Sequence, residues 1–319
     1  MAEETETIRL RITEKRPVAE DICLFELRLP DGGPLAPFTP GAHLGVRVPN
    51  GEMRKYSLCN SPDETDRYVI AVKKEHGGRG GSISLIEQAN EGDEIAIAPP
   101  RNDFELKSGP ASYIFIAGGI GITPIRAMIR HLMATKAKPF KLYYFTRTPE
   151  MMAFRDEFSG PEFRGKVVIH HDGGDPDKAY DLWSVLEEPK GAHLYCCGPR
   201  GLMEAVRDMT GHWSSAAVHF EDFGAARVRA EDNVPFSVRL ANSGETYAVP
   251  ADKSILEVLR AAGKVLPSSC ESGTCGTCRT KLVAGEADHR DLALAEHERA
   301  RNIMICVSRA KSRELVLDL

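Results

Sequence analysis

A chain of 319 residues, 42% hydrophobic and 27% charged, carries enough apolar material for two or three domains and no sign of global disorder. Its formal net charge of −5 gives no support for nucleic-acid binding, which needs a strongly basic face. The acidic start, residues 1–6, leads into no apolar stretch, and the longest apolar run, residues 113–122, is far shorter than a bilayer span and holds three glycines. A soluble, cytoplasmic protein with no membrane or nucleic-acid partner is expected.

Residues 8–100 are short alternating runs, such as 23–29, 43–48 and 68–72, separated by Pro and Gly. Period-two patterning with frequent turn residues predicts an antiparallel barrel or sandwich. One helix-like stretch, residues 82–90, interrupts it. From about residue 112 the texture changes. Apolar strands at 113–117, 141–146, 167–171 and 193–197 alternate with helical segments, the first of them at 124–135. Such βα alternation predicts a parallel sheet with helices on its faces. Residues 224–233 are charged and short of large apolar side chains, as in an interdomain linker. The last segment opens with strands at 235–240 and 246–249, then a helix at 254–262 for which Asp252 or Ser254 is a candidate cap. The expected domains are 1–105, 106–225 and 235–319, with a linker at 226–234.

The cysteines are unevenly placed. Cys23, Cys59, Cys196 and Cys197 are scattered, whereas Cys270, Cys275 and Cys278 follow a C-x4-C-x2-C spacing, with Cys306 downstream. Thiolates are metal ligands, and two sulfide-bridged irons need four. The spacing is that of a plant-type [2Fe–2S] cluster. Gly273 and Gly276 are expected to let the backbone pass close to the sulfurs, and Cys306 is expected to come from a strand on the far side. The competing assignment is structural zinc, which usually takes two C-x2-C-like pairs, whereas here the fourth cysteine stands alone.

Upstream, Arg54-Lys55-Tyr56-Ser57 ends a strand that places Arg54 and Tyr56 on one face, a guanidinium for a phosphate beside a phenol for a flat ring. The same pattern also suits a surface ladder. Gly77-Gly78-Arg79-Gly80-Gly81-Ser82 leads into the helix-like stretch, so free amides and the positive dipole end favour an anion; a flexible surface turn is the plainer alternative. Together, beside a cluster segment, the two elements point to a flavin phosphate. Gly118-Gly119-Ile120-Gly121-Ile122-Thr123-Pro124 follows a buried strand and opens a helix, leaving room for a pyrophosphate. It is not the G-x-G-x-x-G fingerprint. Cys197-Gly198-Pro199 ends another strand at the same sheet edge, where ligands of open α/β folds bind. Cys197 there reads equally as a small buried residue or as a nicotinamide contact.

In order and wording these segments resemble the phthalate dioxygenase reductase family, within the ferredoxin–NADP reductase superfamily. The resemblance rests on Arg54 to Ser57, Gly80-Gly81-Ser82, Gly118 to Pro124, Cys197-Gly198-Pro199 and the four cysteines, and it covers essentially the whole chain. It implies an antiparallel β-barrel that binds FMN, an α/β parallel-sheet domain that binds NADH, and an α+β plant-type ferredoxin domain of the β-grasp type. It also implies a Rieske-type oxygenase component as electron acceptor and a monomeric reductase. On this resemblance Arg54, Lys55, Tyr56, Ser57, Ala71, Val72 and Lys73 surround the flavin, and Arg79, Gly80, Gly81 and Ser82 hold its phosphate. Gly119, Gly121, Ile122, Thr123, Pro124, Cys197, Gly198 and Pro199 receive the dinucleotide, and Phe223 is a stacking candidate. Ser57, Thr123, Cys197 and Phe223 are the candidates nearest the chemistry. Asp172, after the strand 167–171, suits a ribose hydroxyl and would repel a 2′-phosphate, while Arg147 argues the opposite way.

The expected activity is an electron relay from NADH through flavin and cluster to an oxygenase. A demethylase-type oxygenase or another redox partner is the alternative within that reading. A non-catalytic, metal-stabilised binding module is the alternative outside it.

Overall fold

Alternating apolar residues fold the first hundred positions into strands whose inward faces share one core. The computed structural model describes residues 7–78, 80–223 and 233–319. Strands β1 (Ile8–Ala19), β2 (Ile22–Arg28), β3 (His43–Arg47), β4 (Met53–Ser57) and β5 (Tyr68–Lys73) are followed by helix α1 (Gly81–Gln88) and strand β6 (Glu94–Arg101). They form a six-stranded sheet in the order β4-β3-β6-β1-β2-β5, with every described pairing antiparallel. A bridge between Leu58, just past β4, and Ile70 on β5 brings the two edge strands together, so the sheet closes as a barrel. Leu10, Ile12, Leu27, Leu44, Val46, Ile70 and Ile97 fill it, and Leu85 of α1 packs into the same core. Each such side chain contributes about 1.5–3 kcal/mol by leaving water.

Strand β7 (Ser112–Gly118) runs through a single 3-10 turn, Gly119–Gly121, into helix α2 (Ile122–Thr135). Then come β8 (Phe140–Thr146), α3 (Arg155–Phe158), β9 (Val167–His171), α4 (Trp183–Leu186), β10 (Ala192–Cys197), α5 (Arg200–Met209) and β11 (Val218–Glu221). The sheet order is β11-β10-β7-β8-β9, with parallel pairing between β10 and β7, β7 and β8, and β8 and β9. Ile125, Met128, Ile129 and Leu132 recur at helical spacing on α2 and meet Phe115, Leu142, Tyr144 and Tyr195 of the sheet.

The last sheet contains β12 (Phe236–Leu240) and β13 (Thr246–Val249). After α6 (Ile255–Ala261) come β14 (Arg279–Ala284), β15 (Ala287–Asp288), α7 (Glu296–Arg299), β16 (Asn302–Met304), β17 (Arg309–Ala310) and β18 (Glu314–Leu317). The order β13-β12-β18-β14-β16, with β12 parallel to β18 and α6 packed beneath, is a β-grasp arrangement. Ser254 rather than Asp252 caps α6: its hydroxyl accepts the Glu257 amide at 3.2 Å while the Glu257 carboxylate accepts the Ser254 amide at 2.7 Å.

By contacts the chain divides into two units, residues 1–202 with 216–219, and residues 203–215 with 220–319. Arg79 lies outside the described residues, as does the expected linker except for Asn233 and Val234.

Candidate functional site

In the barrel, β4 is an edge strand whose Arg54 side chain reaches the start of α1. A Cβ on Gly81 would stand 2.6 Å from Arg54 Nε and 3.0 Å from its Cγ, so only glycine lets the guanidinium cross the helix N-terminus this closely. Gly80 takes φ +78°, and no side chain among the described residues caps α1. The first amides of α1 therefore face outward beside a guanidinium, as in an anion site. Arg54 also pairs with Glu52, which tempers its charge. Ser82 braces the loop by accepting the Glu75 amide at 2.9 Å.

Tyr56 packs on the barrel core, and burial pushes its phenol up to about 12. Its hydroxyl is enclosed and has no hydrogen-bond partner among the described residues. An orphaned buried hydroxyl costs free energy, and a polar ring edge bound there would relieve it. Lys55 alternates to the opposite side of β4 and is exposed, whereas Ser57 is buried. Ala71, Val72 and Lys73 end β5, the strand that closes the barrel. A flavin with its phosphate at α1 fits this set.

At the C-terminal edge of the parallel sheet, the ends of β7 and β10 meet backbone to backbone. A Cβ on Gly118 would stand 2.5 Å from Pro199 Cδ, and one on Gly121 would overlap the Cys197 carbonyl and lie 2.8 Å from Gly198 N. The Gly119 carbonyl accepts the Tyr144 hydroxyl at 3.2 Å. Ile122, Thr123 and Pro124 form the first turn of α2. The Ile122 amide donates back to the Gly119 and Ile120 carbonyls and Pro124 has no amide to give, so what this turn offers a dinucleotide is close backbone approach and the positive end of the helix. Thr123 is buried, and its hydroxyl donates to the Ile120 carbonyl at 3.0 Å. Cys197 is at the strand end with 0% exposure, enclosed as a small core residue would be.

Asp172 follows β9, its carboxylate accepting the Gly174 amide at 2.7 Å. The Arg147 carbonyl accepts the neighbouring Gly173 amide at 2.9 Å, so both residues frame one turn. Phe223 is half-exposed at 47%.

In the second unit the four cysteines gather two and two. The neighbouring Cys275 side chain and the Ser272 and Cys275 amides, which donate to the Cys270 sulfur at 3.4 Å each, hold the Cys270 thiol down to about 4. The Cys275 thiol itself donates to the Thr277 hydroxyl at 3.3 Å. Cys306 lies beside Cys278 and lowers its thiol. Amides aimed at a ligand sulfur and cysteines in two pairs suit two irons, with two thiolates to each. Among the described residues no three His, Cys, Asp or Glu side chains converge on one point as ligands to a single ion would. Gly273 has φ +79°, and a Cβ there would lie 2.6 Å from Val307 Cγ2. Cys306 does not come from a strand, contrary to expectation. It sits in the turn after β16, where the Val307 and Ser308 amides donate to the Met304 carbonyl at 3.3 and 3.0 Å. The turn brings Cys306 to Cys278, which a straight strand continuing β16 would carry it past.

Two residues passed over in the sequence also shape these sites. Arg126 of α2 is buried, donates to the Cys59 carbonyl at 2.6 Å and to Glu157 at 2.8 Å, and lies 4.2 Å from the Phe154 ring centroid. It ties the strand end after Tyr56 to the nucleotide-side helix. Its only signal is a charge on the apolar stripe of α2. Asp291 is a fully enclosed carboxylate beside the cysteine loop, hidden in the sequence within a charged run.

Comparison with known proteins matches these regions in turn. Residues 9–106 match the oxidoreductase FAD-binding domain, 115–208 the oxidoreductase NAD-binding domain and 238–311 the 2Fe-2S iron-sulfur cluster binding domain. The chain is 57% identical over 313 residues to phthalate dioxygenase reductase of Burkholderia cepacia, covering 98% of this chain and 97% of that one. It is 41% identical over 314 residues to vanillate O-demethylase oxidoreductase of Pseudomonas putida, covering 97% and 98%. A solved structure described as phthalate dioxygenase reductase, a modular structure for electron transfer from pyridine nucleotides to [2Fe-2S], aligns with TM-score 0.74 at 56% identity over 99% of both chains. The chain is thus an oxidoreductase of flavin, nicotinamide nucleotide and a [2Fe–2S] cluster. It belongs to the phthalate dioxygenase reductase family.

Proposed function

We propose that this protein is the NADH-dependent reductase component of a Rieske-type aromatic oxygenase system of the phthalate dioxygenase class. The observation that carries the reading is the presence on one chain of an anion site beside a barrel tyrosine, a glycine-lined parallel-sheet edge and two cysteine pairs. The bound groups supply the redox chemistry: a hydride from NADH, a flavin able to take two electrons and release them singly, and a one-electron cluster.

The chain's own residues bind and orient. Arg54 and the first amides of α1, with Gly80, Gly81, Ser82 and Arg79, hold the flavin phosphate. That terminal anion site favours FMN over FAD. Tyr56, Ser57, Ala71, Val72 and Lys73 line the ring. Gly119, Gly121, Ile122, Thr123 and Pro124, with Cys197, Gly198 and Pro199, receive NADH, and Asp172 beyond β9 favours an unphosphorylated ribose. Phe223 is assigned to ring stacking. Cys270, Cys275, Cys278 and Cys306 hold the cluster. Domain boundaries at 105/106, a linker at 226–234 and a ferredoxin domain at 235–319 complete the reading.

A single copy carries all three sites, so electron flow within the reductase needs no second subunit, and a monomer is assigned. Eight free cysteines fit a reducing cytoplasm. Among the described residues no helix is long and apolar enough to cross a membrane. The likeness to vanillate O-demethylase oxidoreductase favours a demethylase-type oxygenase as the second candidate partner. Reconstitution with both oxygenase classes tests the assignment. Product formed in step with NADH consumed is expected with the phthalate-class enzyme. Tight coupling to the demethylase alone would replace that partner.

A further inference from the structure

Asp291 has 0% exposure and lies between the two segments that carry the cysteines. On one side is Gly273, inside the Cys270–Cys275 loop. The Leu292 amide donates to the Gly273 carbonyl at 2.9 Å, and a Cβ on Gly273 would stand 3.1 Å from Asp291 Cα. On the other side is Ser308, just beyond Cys306. Its hydroxyl donates to Asp291 Oδ1 at 3.2 Å and accepts the Arg290 amide at 3.2 Å. The second carboxylate oxygen accepts the Leu294 amide at 2.8 Å.

His289 completes the surroundings, with Nδ1 3.6 Å from Asp291 Oδ1 and Nε2 3.1 Å from the Arg299 carbonyl. A carbonyl only accepts, so Nε2 carries a proton. Burial alone would push the Asp291 carboxyl up. The Leu294 amide and the charge of Arg299 oppose burial and hold it below the usual carboxylate range. A buried carboxylate is retained at a cost unless it is fully hydrogen-bonded. This one accepts from Ser308, two residues past Cys306, and from Leu294, while its neighbour Leu292 holds the Cys270–Cys275 loop through the Gly273 carbonyl.

We propose that Asp291 is a positioning residue for the iron–sulfur site, clamping the Cys270–Cys278 loop to the Cys306 turn and lowering the reduction potential through its enclosed negative charge. It ligates nothing. In a low-dielectric interior a fixed negative charge disfavours addition of an electron nearby. The inference rests on the cluster being held by Cys270, Cys275, Cys278 and Cys306.

The test uses the full chain as native protein, Asp291→Asn and Ser308→Ala. Cluster content is read from iron and visible absorption, midpoints from anaerobic redox titration, and iron loss from bleaching by a chelator. Asp291→Asn should retain the cluster, move its midpoint positive and leave the flavin midpoint in place. Both variants should lose iron faster than native protein, by about fivefold for the loss of one hydrogen bond that holds the Cys306 turn. A native cluster midpoint in Asp291→Asn overturns the proposal, as does an equal shift at the flavin. If Asp291→Asn accumulates without a cluster, Ser308→Ala decides: faster bleaching supports the clamp and native bleaching overturns it. Absence of a [2Fe–2S] spectrum from the native chain would instead defeat the ligand assignment itself.

Discussion

Gly121 is seated directly against the Cys197 carbonyl, with no room for a Cβ between them. Neither partner can yield easily, because both are backbone: one opens α2 and the other ends β10. The closeness lets the first turn of α2 lie at the sheet edge where a dinucleotide binds.

Gly121→Ala should therefore destabilise the protein by about 1–3 kcal/mol, the usual range for overpacking, and raise the KM for NADH. Gly201 supplies the control, since a Cβ there meets nothing within 4 Å and the residue lies in α5. Gly201→Ala should be neutral or stabilising by up to about 1 kcal/mol. Urea unfolding and NADH titration of the two variants check the contrast.

Tyr56→Phe separates folding from cofactor binding. The hydroxyl is buried without a partner among the described residues, so its removal should leave flavin-free protein as stable as before, or more stable by about 1 kcal/mol. Flavin affinity should fall, by about tenfold for one lost hydrogen bond. Fluorescence titration of the stripped protein with FMN measures this. Unchanged affinity would remove the hydroxyl from the flavin site.

Acid stability depends on Glu26. Burial alone raises its carboxyl, but hydrogen bonds from Arg28, Arg67 and Thr13 outweigh burial and lower it to about 2. The donors stand at 2.7, 2.6 and 2.8 Å. A folded pKa below the unfolded one means that the stabilisation is complete above the unfolded value near 4.5. It is then lost as pH falls toward about 2. Its size is about 2 kcal/mol after allowance for the partly exposed arginines. Glu26→Gln should flatten the stability profile across that window, measured by urea unfolding at stepped pH.

Sequence reading went furthest where function is written locally. The C-x4-C-x2-C spacing identifies three ligands because one loop supplies them, and a strand such as β7 is a continuous apolar run from Tyr113 to Ala117. It went astray at Cys306, where Ile303-Met304-Ile305 reads as a strand continuing through the cysteine. No Gly or Pro marks the turn that two amides make onto Met304. Asp291 sits in the run His289-Arg290-Asp291, which reads as a solvated face, yet its partner Ser308 is brought to it by the fold. Arg126 was hidden for the same reason: its partners, the Cys59 carbonyl and Glu157, are distant in sequence. Side chains whose partners are assembled by tertiary structure leave no periodic signal.

The most direct measurement of the relay compares native protein with Cys306→Ser in two assays, NADH-dependent reduction of a small dye and product formation by an added oxygenase. With the cluster as the exit for electrons, Cys306→Ser should reduce the dye at close to the native rate while product formation falls to background. Loss of both activities in a folded, flavin-loaded protein, or survival of both, would contradict an ordered path through the cluster.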